Sequence, residues 1–232
     1  MVYSRNNTTI IVPALNESRS ISRLLDELKQ NGDNHIVVID GNSVDGTAEV
    51  AEKSGATVIL QRGSGKGAAL RQAFTHSVVD GEIVVVMDAD GSMDPKEVPL
   101  FISAIEEGAD LVKGSRFLSW GRSEDLNLIR RIGNLFFLCL VNWLWSTKYT
   151  DLCYGFGAFR KNALKKLCPH LKSSDFEIET EICIKAKELG LNIVEVPSIE
   201  FKRRHGKSNL NIFRDGWKII KTIFREFLQK YQ

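Results

Sequence analysis

Short β-branched runs alternate with segments of helical spacing through the first half of the chain, and this alternation limits the fold more than any other feature. Residues 8–12, 36–39, 57–60, 83–87 and 111–113 read as strands, ended in turn by Pro13, Asp40, a glycine-rich loop, Asp88 and Gly114. The 83–87 run is apolar throughout, as in a strand buried on both faces. Between the runs lie helical patterns. Asn16 or Ser18 can cap a helix carrying Ile21, Leu24, Leu25 and Leu28, and the loop at 41–47 leads into a helix ending near Lys53. Gly63-Ser-Gly65-Lys66-Gly67 opens a third helix, to about Ser77, and a fourth runs from about Pro95 to Glu107. Strand–helix–strand units of this length close as right-handed crossovers. The expectation is an α/β fold with a mainly parallel central sheet flanked by helices.

The second half changes character. Residues 128–149 are apolar nearly all round, which suits a buried helix or one lying in a lipid interface. No apolar run is expected to reach the ~18 residues of a membrane span. A loop at 151–157, a helix near 161–167, an acidic helix start at 175–181 and a strand at 193–196 follow, then the basic loop Arg203-Arg-His205-Gly206-Lys-Ser208. Residues 212–228 form an amphipathic helix with Phe213, Trp217, Ile220, Phe224 and Phe227 on one side. Arg214, Lys218, Lys221 and Arg225 lie off that side.

With 31 basic and 29 acidic residues the net charge is +2, too balanced for a nucleic-acid binder. The four cysteines form no C-x-x-C pair, so neither a zinc site nor a disulfide framework is indicated. Reduced thiols and an N-terminus without a signal-peptide pattern point to a cytoplasmic protein. Any membrane contact is then expected to be peripheral.

Asp88 and Asp90 stand one residue apart at the end of the apolar 83–87 run, where open α/β sheets bind ligands. Two carboxylates so close repel, and Mg²⁺ or Mn²⁺ would relieve that, with substrate phosphates completing the shell. Two other strand-end loops, at Asn16-Glu17 and from Asp40 to Asp45, fall on the same edge; their carboxylates can accept from a base N–H or ribose hydroxyls. The 63–67 loop fails as a Walker A motif, since Leu60 and Gly67 stand where Gly and Ser/Thr belong. Gly63, Gly65 and Ala68 do match a dinucleotide fingerprint, but after the third strand instead of the first. Taken alone, the loop reads equally as a polar turn or a phosphate contact.

Taken together, Ile11-Val-Pro13-Ala-Leu15-Asn16-Glu17, Asp40-Gly-Asn-Ser43-Val-Asp45-Gly-Thr47, Gly65-Lys66-Gly67 and Asp88-Ala89-Asp90 resemble family 2 glycosyltransferases. Gly114-Ser-Arg116-Phe, Arg130-Arg131-Ile-Gly-Asn134, Asp151-Leu-Cys-Tyr-Gly-Phe, Phe176-Glu-Ile-Glu179 and Arg203-Arg-His-Gly206-Lys-Ser208-Asn-Leu are similar to the polyprenyl-phosphate, dolichol-phosphate mannose synthase-like branch. The resemblance implies the A-type, Rossmann-like glycosyltransferase fold in one domain. Residues 1–115 would form the nucleotide-sugar and metal half, 116–210 the acceptor half, and 211–232 an amphipathic C-terminal helix.

It further implies that Pro13, Leu15, Glu17, Asp40, Lys66, Ala89 and Ser92 hold the nucleotide-diphosphate sugar, and that Asp88 and Asp90 hold Mg²⁺ or Mn²⁺. Arg116, Arg131 and Arg203 would hold the phosphate of a polyprenyl (dolichyl or undecaprenyl) acceptor at the inner membrane face. Glu177 or Glu179 would be a general base only for a hydroxyl acceptor, since a phosphate is already an anion; His205 reads as a loop residue. Gly41 stands where the family often has a second Asp, and Ser92 where mannose-transferring relatives often have Gln, so one nucleoside contact and the sugar stay open. A homodimer or a membrane partner subunit is compatible with the apolar stretches. The competing functions are an NAD(P)-dependent dehydrogenase built on residues 63–68 and a catalytically silent sugar-nucleotide-binding subunit.

Overall fold

The computed structural model describes residues 7–33, 35–206 and 210–230; Lys207, Ser208 and Asn209 of the basic loop lie outside the described residues. In chain order the elements are β1 (Thr8–Ala14), α1 (Ser18–Gln30), β2 (Ile36–Asp40), α2 (Thr47–Lys53), β3 (Thr57–Leu60), α3 (Lys66–Thr75) and β4 (Ile83–Val86). A 3₁₀ turn at Pro95–Glu97 leads into α4 (Val98–Glu106), then β5 (Leu111–Ser115), β6 (Arg122–Ser123) and α5 (Leu128–Trp145). The chain closes with β7 (Gly157–Arg160), α6 (Lys161–Leu167), α7 (Ile178–Glu188), β8 (Ile193–Pro197), β9 (Ile199–Glu200) and α8 (Ile212–Gln229).

Seven strands form one sheet in the order β3-β2-β1-β4-β7-β5-β8. The pairs β1–β2, β1–β4, β2–β3 and β5–β8 are parallel. β7 is inserted antiparallel between β4 and β5. The expected α/β sheet is present, and β7 is the element the sequence hid. Its Gly-Ala-Phe-Arg has no alternation to mark it, and a side chain on Gly157 would crowd the Val112 carbonyl at 3.1 Å. Alternate residues of the strands feed two apolar layers. Ile10, Val12, Val38 and Val85 face α1 and α4. Ile11, Val37, Val84 and Val86 face α3, α6 and α7.

β1 continues through Pro13, which was expected to end it. The strand tolerates the proline because Ile11 and Pro13 share the edge facing β4. The Ile11 carbonyl takes the last bond there, from Met87 N–H at 3.1 Å, so the N–H that proline lacks has no ladder partner to lose. The start of α1 also differs. Neither Asn16 nor Ser18 caps it; Asp45 Oδ2 accepts from Ser18 N–H at 3.0 Å, while Asn16, at φ 55°, accepts from Val44 N–H at 3.0 Å. The loops after β1 and β2 thereby clamp each other above the strand ends.

A third apolar cluster joins α5, α7 and α8 through Phe137, Val141, Trp145, Ile184, Ile219 and Ile223. α5 spans 18 residues at a hydropathy of 1.2, so by length and composition it reaches the size of a membrane span, contrary to expectation. α8 packs with Asp215, Ile219, Thr222, Ile223 and Glu226 inward. Charge does part of the docking: Lys185 bonds Glu226, and Arg225 bonds both Glu226 and Glu181, the two glutamates being fully buried. Apolar side chains left facing solvent include Phe213, Trp217, Phe224 and Leu228 on α8, and Leu128, Ile129, Ile132, Leu135, Phe136 and Trp143 on α5. Phe227, expected with the other aromatics, instead packs edge-on to Trp145.

Candidate active site

A cavity of about 600 Å³ opens along the C-terminal ends of β1, β2 and β4. Its floor is the turn after β4. Asp88 and Asp90 leave the buried strand there, and Ser92 N–H, at 3.0 Å from Asp90 Oδ1, closes the turn. Burial first, and Asp88 second, hold the Asp90 carboxyl above the usual carboxylate range. The part due to Asp88 is the repulsion foreseen for the pair.

Two cations answer it. Lys66 Nζ lies 2.6 Å from Asp88 Oδ1 and 3.1 Å from Glu179 Oε1. Burial opposes the ammonium charge, but Asp88 and Glu179 outweigh burial and raise its pKa above that of a free lysine. Arg203 reaches from the segment after β9 to bond Glu17, and its Nη1 is 3.4 Å from Asp90 Oδ2. Four carboxylates (Glu17, Asp88, Asp90 and Glu179) thus share two cations, leaving an acidic centre.

The glycines beside Lys66 are needed for close packing. A Cβ on Gly65 would meet the Ser174 carbonyl at 2.3 Å, and one on Gly67 would meet the Ser173 carbonyl at 2.6 Å. The Ala68 amide at the start of α3 already donates to Ser174 O at 3.0 Å. This contact carries the start of α7, and with it Glu179, up to Lys66. Gly155 completes the seam, since a Cβ there would lie 2.2 Å from Lys66 Nζ. The loop follows β3, an edge strand, which is the wrong position for a dinucleotide fingerprint.

Pro13, Leu15, Glu17, Lys66, Ala89, Ser92 and Arg203 all line the cavity with the acidic pair. Asp40 lies just beneath the wall, 1% exposed, with Oδ2 accepting from Ser43 N–H at 2.9 Å and Oδ1 buried without a partner. Arg116 lines the cavity, but its guanidinium is engaged. Asp151 takes Nε at 2.7 Å and Nη2 at 3.0 Å, and Glu200 takes Nη1 at 3.1 Å. Arg131 needs correcting. It is turned outward over the Phe117 ring, 5.7 Å from its centroid, and Arg130 faces the cavity instead. Helix phase explains the exchange: the cavity side of α5 repeats at Ile129, Arg130, Gly133, Asn134 and Phe137, and residue 131 falls about 100° away from its neighbour. Glu177 is used locally, accepting from Ser174 and Asp175 N–H at 3.1 and 3.3 Å. The His205 backbone carbonyl accepts from Arg203 Nε at 2.8 Å. Sequence reasoning did not single out Gln61, Glu200 or Arg214 as cavity residues; no motif marks them, and only the fold brings them to the wall.

Asp88 and Asp90 suit a divalent ion. Among the described residues no group of three or more His, Cys, Asp or Glu side chains is arranged to hold a metal alone. Two carboxylates, with the rest of the shell left to phosphate and water, is the pattern expected for Mg²⁺ or Mn²⁺.

Residues 9–168 match the family model described as glycosyl transferase family 2. The chain belongs to glycosyl transferase family 2. Relatives of this family 2 chain include glycosyltransferase AglJ of Haloferax volcanii, 31% identical over 93% of this chain and 70% of AglJ. A dolichyl-phosphate hexose transferase of the same organism is 29% identical over 98% of this chain and 97% of its own length. The resemblance to the polyprenyl-phosphate branch is consistent with these relatives. Glucosyl-3-phosphoglycerate synthase of Mycobacterium tuberculosis, solved with Mn²⁺, UDP-glucose and phosphoglyceric acid, has the same fold at a TM-score of 0.77 and 24% identity, covering 95% of this chain and 79% of that one. The A-type glycosyltransferase architecture and the enzyme class are thereby established, and the dehydrogenase reading is set aside.

Proposed function

We propose that this family 2 enzyme transfers a hexosyl group from a nucleoside-diphosphate sugar to a polyprenyl phosphate, working at the cytoplasmic face of a membrane without crossing it. One observation carries the reading: a single cavity is lined both by the acidic pair and by the two helices with exposed apolar faces. Ile129, Gly133 and Phe137 of α5 and Ile212, Gly216 and Ile219 of α8 form its outer walls. An apolar chain lying between these helices would bring its terminal phosphate toward Asp88 and Asp90, while the outward aromatics contact lipid.

Along the cavity, Pro13, Leu15 and Glu17 hold the nucleoside with Asp40 just behind the wall, and Lys66 stands where a diphosphate would lie. When bound at Asp88 and Asp90, Mg²⁺ or Mn²⁺ supplies charge neutralisation for the diphosphate leaving group. Arg130 and Arg214 line the acceptor side and suit the acceptor's phosphate oxygens, with Arg203 bridging the two regions. Arg116 fixes Asp151 and Glu200, and so shapes the wall. An acceptor phosphate oxygen attacks the anomeric carbon, and the bond to the donor's β-phosphate oxygen breaks with its electron pair leaving on the nucleoside diphosphate. The configuration inverts. No proton need be removed from a phosphate anion, in keeping with Glu179 being held by Lys66 instead of standing free as a base.

Release of nucleoside diphosphate tests the proposal. It should require polyprenyl phosphate and a divalent metal together, and stop with EDTA or with Asp88→Asn. Release driven equally well by a soluble hydroxyl acceptor would favour the hydroxyl reading. Donor binding without turnover on any acceptor would favour a silent subunit. Vesicle-independent activity together with dimerisation through α5 and α8 would assign the apolar faces to a second copy or a partner subunit.

A further inference from the structure

Residues 171–174 form neither helix nor strand, yet they support the loop that carries Lys66. Their amides are held by carboxylates from the start of α7. Glu181 accepts from Lys172 N–H at 3.0 and 3.1 Å and from Ser173 N–H at 2.8 Å. Glu177 accepts from the next two amides, those of Ser174 and Asp175. The carbonyls meet α3 instead. Ser174 O receives the Ala68 amide, and the Ser173 and Ser174 carbonyls leave room only for glycine at positions 65 and 67. A shift of this segment therefore shifts Lys66 against Asp88 and Glu179. Both ends of the support are fastened by charge to α8. Arg225 bonds the fully buried Glu181, while its Nε donates to Glu226 at 2.6 Å. Lys218, two turns earlier on α8, reaches Asp175 Oδ2 at 2.8 Å. Asp175 in turn packs on the loop, its Cγ 3.3 Å from where a Cβ on Gly65 would lie.

A carboxylate as buried as Glu181 is costly unless it is both paired and hydrogen-bonded. Two backbone amides and a guanidinium meet that need, and the amides belong to the segment beneath Lys66. We infer that Glu181 is a positioning residue for the donor diphosphate: it sets Lys66 through residues 172–174, and Arg225 and Lys218 make that setting depend on α8 being docked. The same helix presents Ile212, Gly216 and Ile219 to the outer wall of the cavity. The element that walls the acceptor side thus governs the grip on the donor. This deepens the proposed function and rests on its donor assignment.

The test is calorimetric titration of the full chain with Mn²⁺ alone, and with UDP, GDP, CDP and ADP in Mn²⁺. It compares the native protein with Glu181→Gln, Arg225→Met and Lys218→Met, each also combined with Lys66→Met and checked by circular dichroism. The best-bound nucleotide should lose about threefold in Lys218→Met, the size of a partly exposed ion pair, and about tenfold in Glu181→Gln and Arg225→Met. Mn²⁺ alone should bind no more weakly in any of them, because a lysine held less firmly competes less for Asp88. In the Lys66→Met background the same substitutions should cost the nucleotide nothing further, since their effect passes through Lys66. Lys218 is partly exposed and outside the buried cluster, so Lys218→Met decides if the other two do not fold. Nucleotide affinity unchanged in Lys218→Met would overturn the inference while leaving a nucleotide-sugar enzyme. So would a loss of the same size with and without Lys66, or a loss shared equally by Mn²⁺ alone, since either marks a merely structural role. If none of the four nucleotides binds the native protein, the donor assignment itself falls, and the inference with it.

Discussion

Lys66 Nζ lies 2.6 Å from Asp88 Oδ1, so the residue that opens α3 holds one of the two carboxylates that end β4. The pair joins two strand-end loops that are far apart in sequence, and it places a permanent positive charge beside the acidic turn. On the proposed function, a lysine in that position would restrain Asp88 before substrate arrives and would be free to meet phosphate if a metal took the carboxylate.

Lys66→Met should therefore act in opposite directions on two ligands. Mn²⁺ alone should bind more tightly, because Asp88 loses its competitor. A nucleoside diphosphate in Mn²⁺ should bind about tenfold more weakly, the size of one lost charge-assisted hydrogen bond. Titration calorimetry with each ligand measures both. Weakening of both ligands alike would show that Lys66 only maintains the fold.

Arg130 and Arg131 are adjacent in sequence but face different surroundings. Arg130→Gln should raise KM for the lipid phosphate about tenfold or more, and Arg131→Gln should change it less than twofold. Steady-state kinetics with the acceptor varied at saturating donor decides between them. The reverse order would restore Arg131 as the phosphate ligand.

The cysteines report on the apolar face. Burial, the main cause, pushes the Cys153 and Cys183 thiols up to about 12 and Cys168 up to about 11. Cys139 is exposed on α5, on the same helix as Phe136 and Trp143. A maleimide at neutral pH should modify Cys139 first, and anionic vesicles should slow that reaction about tenfold if this face enters lipid. Unchanged labelling in the presence of vesicles that the protein demonstrably binds would place the membrane contact elsewhere.

Glu97 links the acidic turn to the strand leading to Arg203. Its Oε2 accepts from Ser198 Oγ at 2.5 Å and its Oε1 from Ile199 N–H at 3.0 Å. Burial holds this carboxyl above its ordinary value of 4.5, against those hydrogen bonds. The folded state then binds the proton more tightly than the unfolded chain, so this group's contribution to stability falls as pH rises through the interval from the ordinary to the raised value. Glu97→Gln removes that dependence. The melting temperature of the variant relative to the native protein should be higher at about pH 7 than at about pH 4. A difference independent of pH would mean that the carboxyl is not strained by burial.

What could be read in the sequence followed from local physics. Asp88 and Asp90 were legible because a run as apolar as Ile83–Val86 can end only at an edge, and carboxylates at a strand end have few structural uses. The loops at Glu17 and Asp40 were legible for the same reason. Helix phase was harder. Arg130 and Arg131 differ by one step of rotation, and only the packed direction of α5 chooses between them. α8 posed the same choice, since its aromatic side could pack on the fold or meet lipid; in the structure Ile219, Ile223 and the ion-paired Glu226 face inward and Phe213, Trp217 and Phe224 face solvent. Arg116 is a stock phosphate ligand by residue type, and only the fold reveals Asp151 and Glu200 around it. β7 and Gln61 left no sequence signal, since one is an antiparallel insertion and only the fold brings the other to the cavity wall.

The central claim is transfer to a lipid phosphate. The most direct measurement incubates the protein with a panel of nucleotide sugars, Mg²⁺ or Mn²⁺, and undecaprenyl or dolichyl phosphate in vesicles, and weighs the extracted lipid by mass spectrometry. The account predicts a lipid heavier by one anhydrohexose, formed only with metal and lost in Asp88→Asn and Asp90→Asn. An unmodified lipid, with the hexose recovered instead on a soluble acceptor, would contradict it.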